Sequence, residues 1–175
     1  MIQQNKIVIG IVGLGYTGLP LALQFGKFFK TIGYDINQKK VNDLNKAIDT
    51  TNEASTKDIK YFLKKNKITN NENELAKVNV FIIAVPTPVS KKKIPDLTLL
   101  KNASLIVGKY LKKNSVAIYE STVYPGCTED FCVKILEKQS NLNLNKDFYC
   151  GYSPERINPG DKFKKIENIV KITSG

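Results

Sequence analysis

The residues KIVIGIVGLGYTG near the start of the chain constrain its fold more than any other stretch. A short apolar strand over 7–12 runs directly into Gly13-x-Gly15-x-x-Gly18, and LPLALQFGKFF then opens a helix. Strand, glycine turn and helix in that order form a site for a dinucleotide pyrophosphate. In such a site Gly13 permits the tight turn, Gly15 lets the backbone approach the phosphates, and Gly18 lets the helix pack closely on the strand. The helix N-terminus adds free backbone N–H groups and a partial positive charge. Glycine-rich turns also arise for other reasons, so the motif requires support from elsewhere in the chain.

Asp35 provides some of it. TIGYD reads as a second strand over 31–35 ending in an acid at the remove where a carboxylate accepts hydrogen bonds from both adenosine ribose hydroxyls. Its charge repels a 2′-phosphate, which favours NAD over NADP. Lys39 and Lys40 weigh the other way, since nearby lysines neutralise a phosphate. The plainer reading of Asp35 is a strand-end acid or a cap for the helix beginning near Asn37.

Apolar runs alternate with helical patterns along the whole length. Strands are expected near 7–12, 31–35, 79–85, 115–119, 148–152 and 168–173, and helices near 18–29, 38–46, 56–66, 97–111 and 128–138. This alternation predicts an α/β, Rossmann-like, doubly wound and mostly parallel sheet with helices on both faces. Ser55-Thr56-x-Asp58 and Asp96-x-Thr98 are helix starts. The 175 residues suit one domain over 1–175. The one long loop without evident structure is 153–167, and such loops are commonly functional. No apolar run approaches the roughly 20 residues that span a bilayer, and MIQQNK lacks the form of a secretory signal. A cytoplasmic location is expected.

The formal net charge is +11, with Arg156 the single arginine and no histidine. A nucleic-acid reader uses arginine for bidentate contacts and interleaves aromatics with its basic patch. Here the lysines are spread, in small clusters at 64–67, 91–93, 112–113 and 164–165, so solvated lysine faces are expected and no nucleic-acid partner. The positive field still attracts an anionic substrate. Cys127, Cys132 and Cys150 form no C-x-x-C pair, and without histidine no metal site is expected. Cys127 stands just before a helix start, where a thiol pKa can fall; a small, inert, half-buried cysteine is the expected role.

In a doubly wound sheet, ligands bind at the carboxyl ends of the strands. Val85-Pro86-Thr87-Pro88 follows the strand at 79–85, with two prolines holding an extended backbone around one hydroxyl. Glu120-Ser121-Thr122-Val123-Tyr124-Pro125-Gly126 follows 115–119, and Ser153-Pro154-Glu155-Arg156 follows 148–152. Taken singly these are a turn, helix-capping chemistry and a surface ion pair worth little. Their common position at one rim raises the functional reading.

Together GLGYTGLP, D-x-N-x-x-K at 35–40, D-x-T-x-E at 49–53, VPTP, ESTVYPG and YSPERINPGD resemble the N-terminal, NAD-binding domain of the nucleotide-sugar 6-dehydrogenases, the UDP-glucose/GDP-mannose dehydrogenase family. The likeness covers essentially the whole chain, in order. SPERINPGD is more similar to the UDP-N-acetylhexosamine branch than to the UDP-glucose branch, which usually has a Phe after the glutamate and a second acid where Pro159 stands here.

The resemblance implies roles for particular residues. Gly13, Gly15, Tyr16, Thr17 and Gly18 hold the pyrophosphate of NAD, with Thr17 in place of the more usual valine. Asp35 and Lys40 grip the adenosine ribose, Thr87 meets the nicotinamide-ribose side, and Ser121 and Thr122 complete the cofactor site. Thr122 sits near the reacting carbon and its water. Glu155 acts in acid–base chemistry and contacts the substrate, and Arg156 positions the sugar or its phosphates. Cys127 has no catalytic role. The implied reaction, in polysaccharide precursor synthesis, takes the C6 alcohol of a UDP-N-acetylhexosamine through an aldehyde to the uronic acid with two NAD. Its second half uses a thiolate, which adds to the aldehyde and later leaves from a thioester. The family's nucleophilic cysteine, its central helix with a lysine and an asparagine, and its UDP-binding half have no counterpart in 1–175. The expectation is a cofactor domain that is inactive alone, from a protein that forms a homodimer. A non-catalytic NAD-binding regulatory module is the alternative.

Overall fold

The computed structural model describes residues 6–155 and 170–175. Its frame is six strands: β1 (Val8–Val12), β2 (Lys30–Tyr34), β3 (Lys67–Thr69), β4 (Val80–Ile83), β5 (Val116–Tyr119) and β6 (Tyr149–Tyr152). They lie in one sheet in the order β3-β2-β1-β4-β5-β6, and every pairing is parallel. The doubly wound Rossmann-like topology expected from the alternation of runs is therefore present. Successive side chains of a strand point to opposite faces, and both faces are covered. Ile9, Ile11 and Ile82 pack with Leu14, Leu19, Ile59 and Phe62 in one core. Val12, Phe81, Ile83 and Tyr119 pack with Leu100, Val107, Leu136 and Phe148 in the other. That two-sided burial is why the strands read as nearly continuous apolar runs.

The helices are α1 (Gly18–Phe25), α2 (Gln38–Asn45), α3 (Thr56–Leu63), α4 (Thr98–Tyr110) and α5 (Lys134–Ser140), with a 3-10 helix at Glu72–Lys77 and a π-helical turn at Thr128–Val133 that leads into α5. Local chemistry sets several starts. The Asn37 side chain accepts from the Lys40 amide to cap α2, and Ser55 accepts from the Asp58 amide to cap α3. Asp96 Oδ1 accepts from the Thr98 amide at the head of α4. The helix expected over 18–29 ends at Phe25, where Gly26 packs so closely on Phe62 that a Cβ would lie 2.4 Å from its ring. Two elements were not expected, β3 and the 3-10 helix. The strand expected over 168–173 lies partly outside the described residues; its described part, 170–173, carries no strand, and Ser174 instead forms a single antiparallel bridge with Tyr152.

Register determines where chemistry can be placed. Val12 aligns with Tyr34 and with Ile83, Ile83 with Tyr119, and Tyr119 with Tyr152. Gly13, Asp35, Ala84, Glu120 and Ser153 therefore leave the sheet along one rim. The chain winds away from β1 in one direction through β2 and β3, and from β4 in the other through β5 and β6, which opens a crevice between β1 and β4.

Candidate functional site

The glycine turn occupies that crevice. Gly13 has φ +95°, and its amide donates to Tyr34 O at 2.8 Å. A Cβ at Gly18 would lie 1.8 Å from Gly13 O, so only glycine lets the start of α1 cross the turn. Gly15 differs: a Cβ there meets nothing within 4 Å. The protein's own packing leaves that space open, in front of the first turn of α1, whose leading N–H groups have no intrahelical acceptor. Thr17, the N-cap, makes no side-chain capping bond, and Tyr16 beside it is exposed.

Asp35 is fixed directly beside this turn. It is buried; Oδ2 accepts from the Leu14 amide at 2.9 Å and from Lys40 Nζ at 3.1 Å, and Oδ1 accepts from the Asn37 amide at 2.9 Å. The capping of α2 falls to Asn37, so Asp35 is not the helix cap. A carboxylate offers about four acceptor positions, and these three bonds leave one on Oδ1. The open cradle at Gly15 and this partly committed acid fit a dinucleotide, with the pyrophosphate at the turn and a ribose hydroxyl at Oδ1. Lys40 is engaged with Asp35, which leaves it a poor receptor for a 2′-phosphate.

The loops after β4 and β5 are tied to each other. Thr87 Oγ1 donates to Thr122 O, and Ser121 Oγ donates to Val85 O at 2.7 Å. Ser121 is buried and its proton is committed to that brace, whereas the Thr122 side chain is exposed at the rim. Glu155 is half-buried at the end of β6. Arg156 lies outside the described residues.

Two rim residues were not singled out from the sequence. Glu120, directly after β5, is buried with its Oε2 paired to Lys171 Nζ, and Lys171 Nζ also donates to Pro154 O at 3.3 Å. Burial raises the Glu120 pKa above the ordinary carboxylate value; Lys171 and the neighbouring Ser153 hydroxyl oppose the rise, and the Glu155 charge adds to it. Glu120 stands in a motif that the sequence made conspicuous, but no local pattern signals that Lys171 is its partner.

Cys127 is fully buried, and burial pushes its thiol pKa up, not down as a helix start alone would. Among the described residues no cluster of three or more histidine, cysteine or acidic side chains is placed to hold a metal ion. Among the same residues no helix is long and apolar enough to cross a membrane.

A parallel sheet in this order, with a glycine turn at the crevice and an acid at the end of β2, defines a dinucleotide-binding α/β domain. The model of the UDP-glucose/GDP-mannose dehydrogenase family, NAD binding domain, matches residues 7–175. The chain belongs to that family, and its cofactor is NAD. It is 52% identical over 171 residues to a UDP-N-acetyl-D-glucosamine 6-dehydrogenase of Pseudomonas aeruginosa, a match covering 98% of this chain and 40% of that protein. A second such enzyme, from Salmonella typhi, is 47% identical over 174 residues, again covering 98% of this chain and 40% of the relative. The solved structure of a UDP-D-ManNAc dehydrogenase from Pyrococcus horikoshii superposes with a TM-score of 0.83 at 35% identity, over 88% of this chain and 37% of that one. The chain thus spans about two fifths of the length of the relatives it matches.

Proposed function

We propose that residues 1–175 form a single NAD-binding domain serving the oxidation of the C6 alcohol of a UDP-N-acetylhexosamine to the uronic acid. The observation that carries this reading is the placement of the Thr122 hydroxyl and the Glu155 carboxylate on the same rim as the glycine turn and Asp35, at the ends of successive strands. A regulatory NAD-binding module has no need of that second group of residues. The names of the relatives, UDP-N-acetyl-D-glucosamine 6-dehydrogenases, support the substrate class.

Bound NAD supplies the hydride acceptor. The turn amides of Gly15, Tyr16, Thr17 and Gly18 bind the pyrophosphate, and Asp35 with Lys40 orients the adenosine ribose. Thr87 and Ser121 hold the β4 and β5 loops together beside the nicotinamide end. Thr122 hydrogen-bonds the sugar C6 oxygen or the water near it. Glu155 takes a proton from that water in the hydrolytic step, acting as a general base. Arg156 pairs with the anionic substrate. The thiol nucleophile and the UDP-binding half come from outside 1–175, so these residues alone bind NAD without turnover. The whole enzyme is a cytoplasmic homodimer on this reading.

Calorimetric titration with NAD and NADP tests the cofactor assignment. NAD binds more tightly than NADP, and Asp35→Ala removes the preference; equal affinity for both would overturn the ribose assignment. The substrate class is tested by NADH formation from UDP-N-acetylglucosamine in an enzyme that carries this domain, where Glu155→Gln abolishes turnover. Full activity in that variant would overturn the role of Glu155.

A further inference from the structure

The least expected contact in the described residues joins the loops after the neighbouring strands β5 and β6. Lys171 lies 51 positions beyond Glu120 and 17 beyond Pro154, yet its ammonium reaches both the Glu120 carboxylate and the Pro154 carbonyl. Glu120 is held at the other end by its amide, which donates to Ile83 O at 2.8 Å, and the Ser153 amide donates to Tyr119 O at 2.9 Å. The lysine therefore binds the residue immediately before Glu155 to the residue immediately before Ser121. It does so with a Glu120 side chain only 7% exposed and a Lys171 side chain only 22% exposed. A buried ion pair contributes little net stability, because desolvating both charges offsets most of their attraction. What such a pair supplies is a local link: one ammonium with three donors shared between two acceptors on different loops.

We propose that Lys171 and Glu120 are positioning residues for the active rim, setting the backbone at Pro154 so that Glu155 faces the Ser121–Thr122 loop. The segment 170–175 is then more than the end of the sheet. Its antiparallel bridge from Ser174 to Tyr152 places Lys171 back over the strand end from which the Glu155 loop departs. Because Pro154 has no N–H and a restricted φ, a bond to its carbonyl is an effective way to orient the following peptide. The groups facing the Glu120 carboxylate are Lys171, the Ser153 hydroxyl and the Glu155 carboxylate. Loss of the lysine thus removes a tether and leaves two carboxylates opposed. The functional part of this inference rests on the dehydrogenase reading above; the tether itself does not.

The test uses Lys171→Met, Lys171→Arg, and the double variant Lys171→Met/Glu120→Gln, which removes both charges and so guards against simple misfolding. Amide hydrogen exchange is followed at Ser153 and Glu155, the two amides of 153–155, and, as a control, at residues 13–18. Lys171→Met speeds exchange at 153–155 by about tenfold or more while the glycine turn is unchanged. Lys171→Arg restores protection, and the double variant regains thermal stability but not protection. Unchanged exchange at 153–155 in Lys171→Met overturns the tether. In an enzyme carrying this domain, Lys171→Met lowers kcat by about tenfold with NAD affinity retained, shifts the pH profile of kcat, and is rescued by Lys171→Arg. Altered exchange with wild-type kcat and pH profile overturns the positioning role. Altered exchange in Lys171→Met, together with no NADH formation from any UDP-sugar by the wild-type enzyme, would strike the dehydrogenase reading and leave the tether standing.

Discussion

The Leu14 amide donates to Asp35 Oδ2 at 2.9 Å across 21 positions of sequence, so the acid at the end of β2 is part of the glycine turn itself. On the proposed ribose role, cofactor recognition and local stability share one side chain. Asp35→Ala should therefore do two things. It strands a buried N–H, at a cost of about 1–3 kcal/mol, and lowers NAD affinity by about tenfold or more through the lost charged acceptor. Asp35→Asn, which keeps an acceptor for Leu14, should recover most of the stability but not the affinity. Parallel denaturation and calorimetry separate the two effects, and an Asn variant that binds NAD as tightly as wild type would contradict the ribose role.

The glycines of the same turn divide into two kinds. A methyl group at Gly18 collides with Gly13 O, whereas one at Gly15 enters open space. Gly18→Ala is expected to cost about 3 kcal/mol or more through forced movement of backbone, a fall in Tm on the order of 6–12 °C for a chain of this length. Gly15→Ala should leave Tm within about 2 °C of wild type while NAD binding disappears, because the new methyl fills the space the pyrophosphate needs. A Gly15→Ala protein that retains NAD affinity would show that the pyrophosphate does not approach there.

Much of this arrangement is legible in the sequence. The glycine spacing, Asp35 and the loops after the apolar runs 79–85, 115–119 and 148–152 carry local signals, and the structure places all of them on one rim. β3 was missed because Lys67–Thr69 is three residues long and lies between polar segments, too short for a periodicity to register. The apolar residues of 168–173 resemble a strand, but Val170 is 80% exposed and Ile172 52%, so these side chains are not core. The Glu120–Lys171 pair could not be read at all. It depends on the return of the chain across β6, a tertiary event that leaves no spacing rule in the sequence.

Two glutamates should mark the pH dependence of stability with opposite signs. Glu74 has its pKa lowered by hydrogen bonds from Lys77 and then Lys67. The stability it contributes is present above its unfolded pKa and is lost as the pH falls through the folded one. Glu120 has its pKa raised by burial, so its contribution is complete below the unfolded pKa and is lost as the pH rises through the folded value. Urea denaturation between about pH 3 and pH 7 should show Glu74→Gln converging with wild type in acid and falling below it near neutrality. Glu120→Gln should gain on wild type over the same rise in pH. Parallel curves for either variant would contradict the corresponding shift.

The three thiols provide the last test, because a catalytic or redox-active cysteine and an inert one differ in reactivity. Cys127 and Cys132 are buried, and Cys150 is half-buried. Burial pushes Cys132 and Cys150 up to about 12, with the Cys127 thiol adding to the rise at Cys132 and the Glu129 charge adding to that at Cys150. At pH 8 a thiol of pKa about 12 is ionised on the order of once in 10⁴ molecules, against about one in four for a free cysteine. Cys127 is shifted in the same direction despite standing at the start of the π-helical turn, so desolvation outweighs any help from the helix end. Ellman's reagent at pH 8 should therefore titrate almost no thiol in the folded chain and all three in denaturant, with the folded rate following global unfolding. Rapid modification of Cys127 in the native protein would mean that it is exposed and ionised, and would reopen a chemical role for it.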